Sequence, residues 1–88
     1  MEEVSQKENE AEILLRYAVK VAYDNQFYIS AVKALMILIK LYQKRGLQDQ
    51  LLQSLSSVQQ LVSLLIKRSN VPIKLLTKAR EVLNQFNL

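Results

Sequence analysis

Four basic residues stand close together late in the chain. Lys67 and Arg68 end one helical stretch, and Lys74 and Lys78 lie one turn apart in the next, with Arg80 nearby. Residues of this type, gathered at one end of a helical hairpin, neutralise phosphates and give sequence-independent nucleic-acid binding. Bases at a helix C-terminus also suit the backbone dipole, so the same residues serve equally as a solvated helix end. No aromatic side chains alternate with them, and no recognised nucleic-acid motif is present. Other chemistries are excluded by residue type. The chain has no His and no Cys, which removes the commonest general base, thiol chemistry and the softer metal ligands. After residue 12 the only acids are Asp24, Asp49 and Glu81. No two of these lie within a helical turn, so neither a paired-carboxylate site nor a hard-cation site follows from local spacing. A single glycine cannot build a glycine-rich phosphate loop. The expectation is a protein that is not an enzyme, with no catalytic residues, no cofactor and no metal.

A second constellation is defined by what it lacks. The stretch "DQLLQSLSSVQQLVSLLIKR" places 17 residues without a charge between Asp49 and Lys67. One side repeats Leu51, Leu55, Val58, Val62 and Leu65, with Leu52 and Ile66 widening the stripe, which is ordinary core spacing. The other side holds Gln50, Gln53, Ser54, Ser57, Gln60 and Ser63, with Leu64 among them and Leu61 at the edge. Exposed helix faces normally carry Lys and Glu, whereas depletion of charge marks the core of a protein contact. In the preceding helix a polar stripe of Ser30, Lys33, Lys40 and Lys44 is interrupted by Ile37. The residues expected to touch another protein are therefore Ile37, Lys40, Lys44, Gln53, Ser57, Gln60, Leu61 and Leu64. The partner is either a larger protein or a second copy, giving a homo-oligomer. Tyr17, Tyr23, Phe27 and Tyr28 gather separately, as a packed corner or as the wall of a peptide groove.

These residues must be positioned by helices, because one Gly and one Pro in 88 residues leave little material for turns between strands. Ser5 and Glu8 have capping-box spacing ahead of a helix over 7–24. Leu14, Ala18, Val21 and Ala22 read as its buried stripe, with Glu12, Arg16 and Lys20 opposite. Asp24 and Asn25 separate it from a second helix over 26–45, which stops at Gly46, a C-cap residue. The uncharged stretch makes a third helix over 47–69. Pro72 then opens a fourth over 72–86, its apolar face formed by Leu76, Ala79, Val82, Leu83 and Phe86. The fold class expected is all-α: a small four-helix up-down-up-down bundle. Residues 1–6 are expected to form an acidic, mobile leader and 7–88 a single helical-bundle domain. Residues 1–12 carry five Glu against Lys7, and the rest eleven bases against three acids, so a basic body follows an acidic start. That start is unlike a signal peptide, and the longest apolar run, Ala34 to Ile39, is too short for a bilayer. A soluble cytoplasmic protein with no membrane association is expected.

Two stretches carry resemblances. The segment "YAVKVAYDNQFYISAVKALMILIKLYQ", residues 17–43, resembles the helical hairpin of microtubule-interacting-and-transport domains and of tetratricopeptide units, with Ala18, Ala22 and Ala31 as the small residues where two helices approach. That likeness implies a peptide-binding groove. The pieces "AVKALMILIKLYQKRG" and "VPIKLLTKAREVLNQF", with the overall build, resemble the small helical polymerase-binding subunits of the crenarchaeal B-family DNA polymerase holoenzyme. The second likeness implies an archaeal accessory subunit that docks on a DNA polymerase and supports its stability or DNA synthesis. The expected function is thus a non-catalytic adaptor that docks on a larger protein, plausibly a DNA polymerase. Two alternatives stand beside it: a stand-alone nucleic-acid-binding protein using Lys67, Arg68, Lys74 and Lys78, and a peptide-binding helical hairpin of the microtubule-interacting-and-transport type.

Overall fold

The turns decide how the helices meet. In the computed structural model, which describes the backbone of residues 2–68 and 71–87 and the side chains from Gln6 onward within them, four helices follow one another: α1 (Glu2–Asp24), α2 (Tyr28–Arg45), α3 (Gln48–Arg68) and α4 (Ile73–Gln85). The Ser5 cap and the Ser69–Asn70 break lie outside the described side chains and residues. The first two links have the same construction. At the end of α1, the Phe27 N–H donates to the Ala22 carbonyl at 2.7 Å and the Gln26 N–H to that of Tyr23 at 3.0 Å. At the end of α2, Leu47 donates to Tyr42 at 3.0 Å and Gly46 to Gln43 at 3.3 Å. Both are Schellman closures, which need a left-handed residue at the position after the cap. Gly46 supplies it at φ 70°, but in the first link Gln26 must adopt φ 62°. A side chain in that region is strained where glycine is not. Replacing Gln26 with Gly is expected to raise stability by about 0.5–1 kcal/mol, read as a higher urea midpoint with unchanged slope.

The core is an apolar cluster centred on α2. Val32, Leu35, Leu38, Ile39 and Tyr42 of α2 pack with Leu51, Leu55, Val58, Leu61, Val62 and Leu65 of α3, with Ala22 of α1, and with Leu75, Ala79 and Leu83 of α4. The fold is the expected all-α bundle of four helices. Its packing is uneven, however: α2 touches all three other helices, while no Cα of α1 comes within 8 Å of α3 or α4 among the described residues. Helix α1 therefore lies against α2 alone, as an outer layer.

Its attachment is partly polar. The Tyr42 hydroxyl donates to Glu12 Oε2 at 3.1 Å and Lys44 Nζ to Glu8 Oε1 at 3.0 Å. Arg45 places Nε 3.8 Å from Glu8 Oε2 and Nη1 3.6 Å from Glu12 Oε1, the latter an ion pair too long for a hydrogen bond. Two acids of the N-terminal segment, Glu8 and Glu12, thus face the basic end of α2. Burial, and then the negative charge and hydrogen bond of Glu12, push the Tyr42 hydroxyl above the ordinary tyrosine value. A raised folded-state value means that the unfolded chain loses this proton first as pH climbs. Stability from Tyr42 is therefore complete below about pH 10 and declines above it; alkaline denaturation of Tyr42→Phe should start at higher pH than in the parent.

The sequence expectation for α1 needs two corrections. The helix begins at Glu2 rather than at residue 7, consistent with acidic residues favouring a helix N-terminus. Its buried face is also rotated. Ala22 is buried and Leu15 and Val19 are half-buried against the core, whereas Leu14, Ala18 and Val21, expected inside, are exposed. The reason is the polar latch: Glu8 and Glu12 must face Arg45 and Tyr42, and residues at spacings of three and four from them, Leu15 and Val19, turn inward with them.

Candidate functional site

No Cα of α1 lies within 8 Å of one of α3 among the described residues, and a cleft runs between the two helices with α2 as its floor. Its wider part encloses about 330 Å³ and is lined by Val19, Lys20, Tyr23 and Asp24 of α1, Leu35 of α2, and Ser57, Gln60, Leu61 and Leu64 of α3. A second part of about 190 Å³ continues it, sharing Val19, Leu35 and Ser57 and adding Arg16, Tyr42, Gln50, Gln53 and Ser54. The uncharged Gln/Ser side of α3 is therefore one wall of this cleft. Every α3 side chain named in it is uncharged, and the α1 wall supplies Arg16, Lys20 and Asp24 at its outer edge. Such a lining hydrogen-bonds a visitor without the cost of desolvating a charge.

The expected contact residues separate into two places. Gln53, Ser57, Gln60 and Leu64 line the cleft. Leu61 lines it too but is only 3% exposed and belongs to the core cluster. Ser54, counted with the polar face, is also buried. Leu64 is half-buried and packs against the core cluster, so it contributes to folding as well as to the cleft. Ile37 and Lys40 belong elsewhere, in a groove of about 440 Å³ between α2 and α4 lined by Lys33, Met36, Ile37, Lys40, Pro72, Lys74, Leu75 and Lys78. Lys44 is in neither, being held by Glu8.

The basic constellation also divides. Lys74 and Lys78 join Lys33 and Lys40 around the α2–α4 groove. Arg68 instead stacks over the Tyr28 ring, 4.8 Å from its centroid, and lines a depression of about 680 Å³ with Phe27, Ile29 and Leu65. Lys67 is exposed and lines neither. The four residues expected to act together are thus not one patch, because the start of α4 carries Lys74 and Lys78 over α2, while Arg68 is drawn to the aromatic corner by a cation–π contact. That corner is a packed one in part: Tyr23 and Tyr28 have ring centroids 5.8 Å apart, yet Tyr17, Tyr23 and Phe27 stay exposed. Lys33 and Lys40 were readable as one stripe of α2; their meeting with α4 was not, since it depends on how α4 crosses.

Among the described residues no group of His, Cys, Asp or Glu could hold a metal ion, and no helix is long and apolar enough to cross a membrane. No protein-family model, curated protein or solved structure matches the chain.

Proposed function

We propose that this chain is a non-catalytic accessory subunit that docks on a larger protein through the cleft between α1 and α3. The carrying observation is that cleft: it is floored by Leu35, walled by the uncharged residues Ser57, Gln60 and Leu64, and left open because α1 packs on α2 alone. A bundle layer with a groove between two helices accepts a further helix, presented by the partner, with apolar residues toward Leu35 and polar ones toward Gln53 and Gln60. A DNA polymerase is the partner class implied by the likeness of "AVKALMILIKLYQKRG" and "VPIKLLTKAREVLNQF" to archaeal polymerase-binding subunits. The test is a tagged pull-down from native extract, with nuclease added, comparing the parent with Ser57→Glu. The proposal requires a stoichiometric protein that is captured by the parent and lost with the variant. A protein retained equally by both would place docking elsewhere.

The α2–α4 groove favours a second reading. Lys33, Lys40, Lys74 and Lys78 surround it, and its described lining includes no acid. Phosphate contact there predicts binding to a mixed-sequence duplex at low salt, with log affinity falling against log salt at a slope of about −3.6 for four contacts. Reversing Lys33 and Lys74 to Glu should remove that binding, while Lys67→Glu should leave it nearly unchanged. Affinity without salt dependence would exclude the reading.

A further inference from the structure

The polar latch that turns Leu15 and Val19 inward leaves the outer side of α1 apolar. Ile13, Leu14, Tyr17 and Val21 are 67%, 68%, 67% and 39% exposed, with Ala18 exposed among them. They do not contribute to the α1–α3 cleft, whose α1 wall is Arg16, Val19, Lys20, Tyr23 and Asp24. Nor do they contribute to the core cluster. A contiguous apolar strip of this kind on a surface helix marks a contact surface.

Its order identifies the occupant. Lys7, Glu10, Leu14, Tyr17, Val21 and Asp24 follow one another at steps of three, four, three, four and three, the spacing that keeps a seam facing a neighbouring helix. Read along the seam, the pattern is a base, an acid, three apolar residues and an acid. A parallel pairing of two such seams sets Lys7 on Lys7, Glu10 on Glu10 and Asp24 on Asp24, which is repulsive throughout. An antiparallel pairing about a two-fold axis, with Leu14 opposite Tyr17 of the second copy, sets Lys7 opposite Asp24 and brings Glu10 beside Lys20. Lys7 and Asp24 then meet as opposites at both ends, Glu10 falls across from Val21 with Lys20 next to it, Leu14 and Tyr17 cover each other, and Ala18 beside the seam leaves room for close approach. The seam from Lys7 to Asp24 is roughly 25 Å long at the helical rise. It is self-complementary, as a two-fold contact requires.

We infer that two copies of this chain associate as an antiparallel dimer through the outer face of α1. In that dimer Lys20 and Asp24, which also line the cleft, lie at the contact, while Val19 and Tyr23 stay on the other side of the helix from Leu14 and Val21. The inference is independent of the partner reading, since it is read from the purified chain alone.

The experiment is sedimentation equilibrium of the full-length chain across the micromolar range, at low and moderate salt. The parent should pass from monomer to dimer mass as concentration rises. Tyr17→Glu, at an exposed position, should keep the helical spectrum and melting temperature and raise the dissociation constant about 100-fold, the loss expected for a central aromatic anchor. Lys7→Glu should weaken the dimer about 5- to 10-fold, and adding Asp24→Lys in the same chain should restore it, because the two positions meet only in the antiparallel register. A parent that stays monomeric throughout overturns the inference. So does a dimer that Tyr17→Glu leaves intact, and failure of Asp24→Lys to rescue Lys7→Glu removes the antiparallel register.

Discussion

Glu12→Ala should lower unfolding stability by about 2–3 kcal/mol, far more than a surface ion pair gives. Glu12 accepts the Tyr42 hydroxyl at 3.1 Å, and its other oxygen lies 3.6 Å from Arg45 Nη1, an atom buried without a hydrogen-bond partner. Removing the carboxylate leaves the part-buried Tyr42 hydroxyl without its acceptor and the half-buried Arg45 guanidinium with Glu8 alone. Both groups then stay desolvated for a smaller return. The Glu12 and Arg45 side chains are 18% and 26% exposed, so water screens the pair only in part. Arg16, 4.0 Å away and 69% exposed, adds little. Glu8→Ala is the internal comparison. Its strongest partner, Lys44, is 70% exposed, and the expected loss is about 0.5–1 kcal/mol. Equal losses in urea melts of the two variants would show that Glu12 is an ordinary surface acid and that the latch does not fix the rotation of α1.

Ser57→Glu should leave the melting temperature within a few degrees of the parent and weaken partner binding about 100-fold or more. Ser57 lies at the junction of the two parts of the cleft, shared between them with Val19 and Leu35. It is half-buried, so a longer side chain can reach water in the free protein. With a partner helix seated over Leu35 that escape is closed, and the carboxylate must be desolvated on the uncharged α3 wall. A factor of 100 corresponds to about 2.7 kcal/mol, within the usual cost of burying a charge without a partner. Leu64→Glu is a less discriminating variant, because Leu64 packs against the core and its replacement also destabilises the fold. An unfolded Ser57→Glu would show instead that the cleft wall is core.

Helix number, the Gly46 stop and the core stripe of α3 were legible because each rests on local chemistry: one left-handed residue, one periodic row, one proline. The face of α1 was not. Leu14, Ala18, Val21 and Ala22 form as good a helical stripe as Leu15, Val19 and Ala22, and hydrophobicity alone cannot choose between two apolar sides. The choice is made by Glu8 and Glu12 reaching Lys44, Arg45 and Tyr42 across 30 to 37 positions of sequence, a tertiary contact with no local trace. The Gln/Ser face of α3 was legible as a surface of unusual composition, and all five α3 residues selected from it line the cleft, Leu61 with only 3% of its surface exposed. The burial of Leu61 was not legible, because a position at the edge of a wheel is core or surface according to how near the next helix comes. The basic residues show the same limit. Lys74 and Lys78 were paired with Lys67 and Arg68 by closeness in sequence, whereas the bundle sets them beside Lys33 and Lys40.

The most direct test of docking through the cleft is site-specific photo-cross-linking in nuclease-treated native extract, with the reactive side chain at Gln60 on the cleft wall and, separately, at Gln59 and at Lys78. Both control positions are exposed and line no part of the cleft. The account predicts one protein of defined mass cross-linked from position 60 and absent or much reduced from positions 59 and 78. Cross-linking that is equal from all three, or strong from position 78 and missing from position 60, would contradict it.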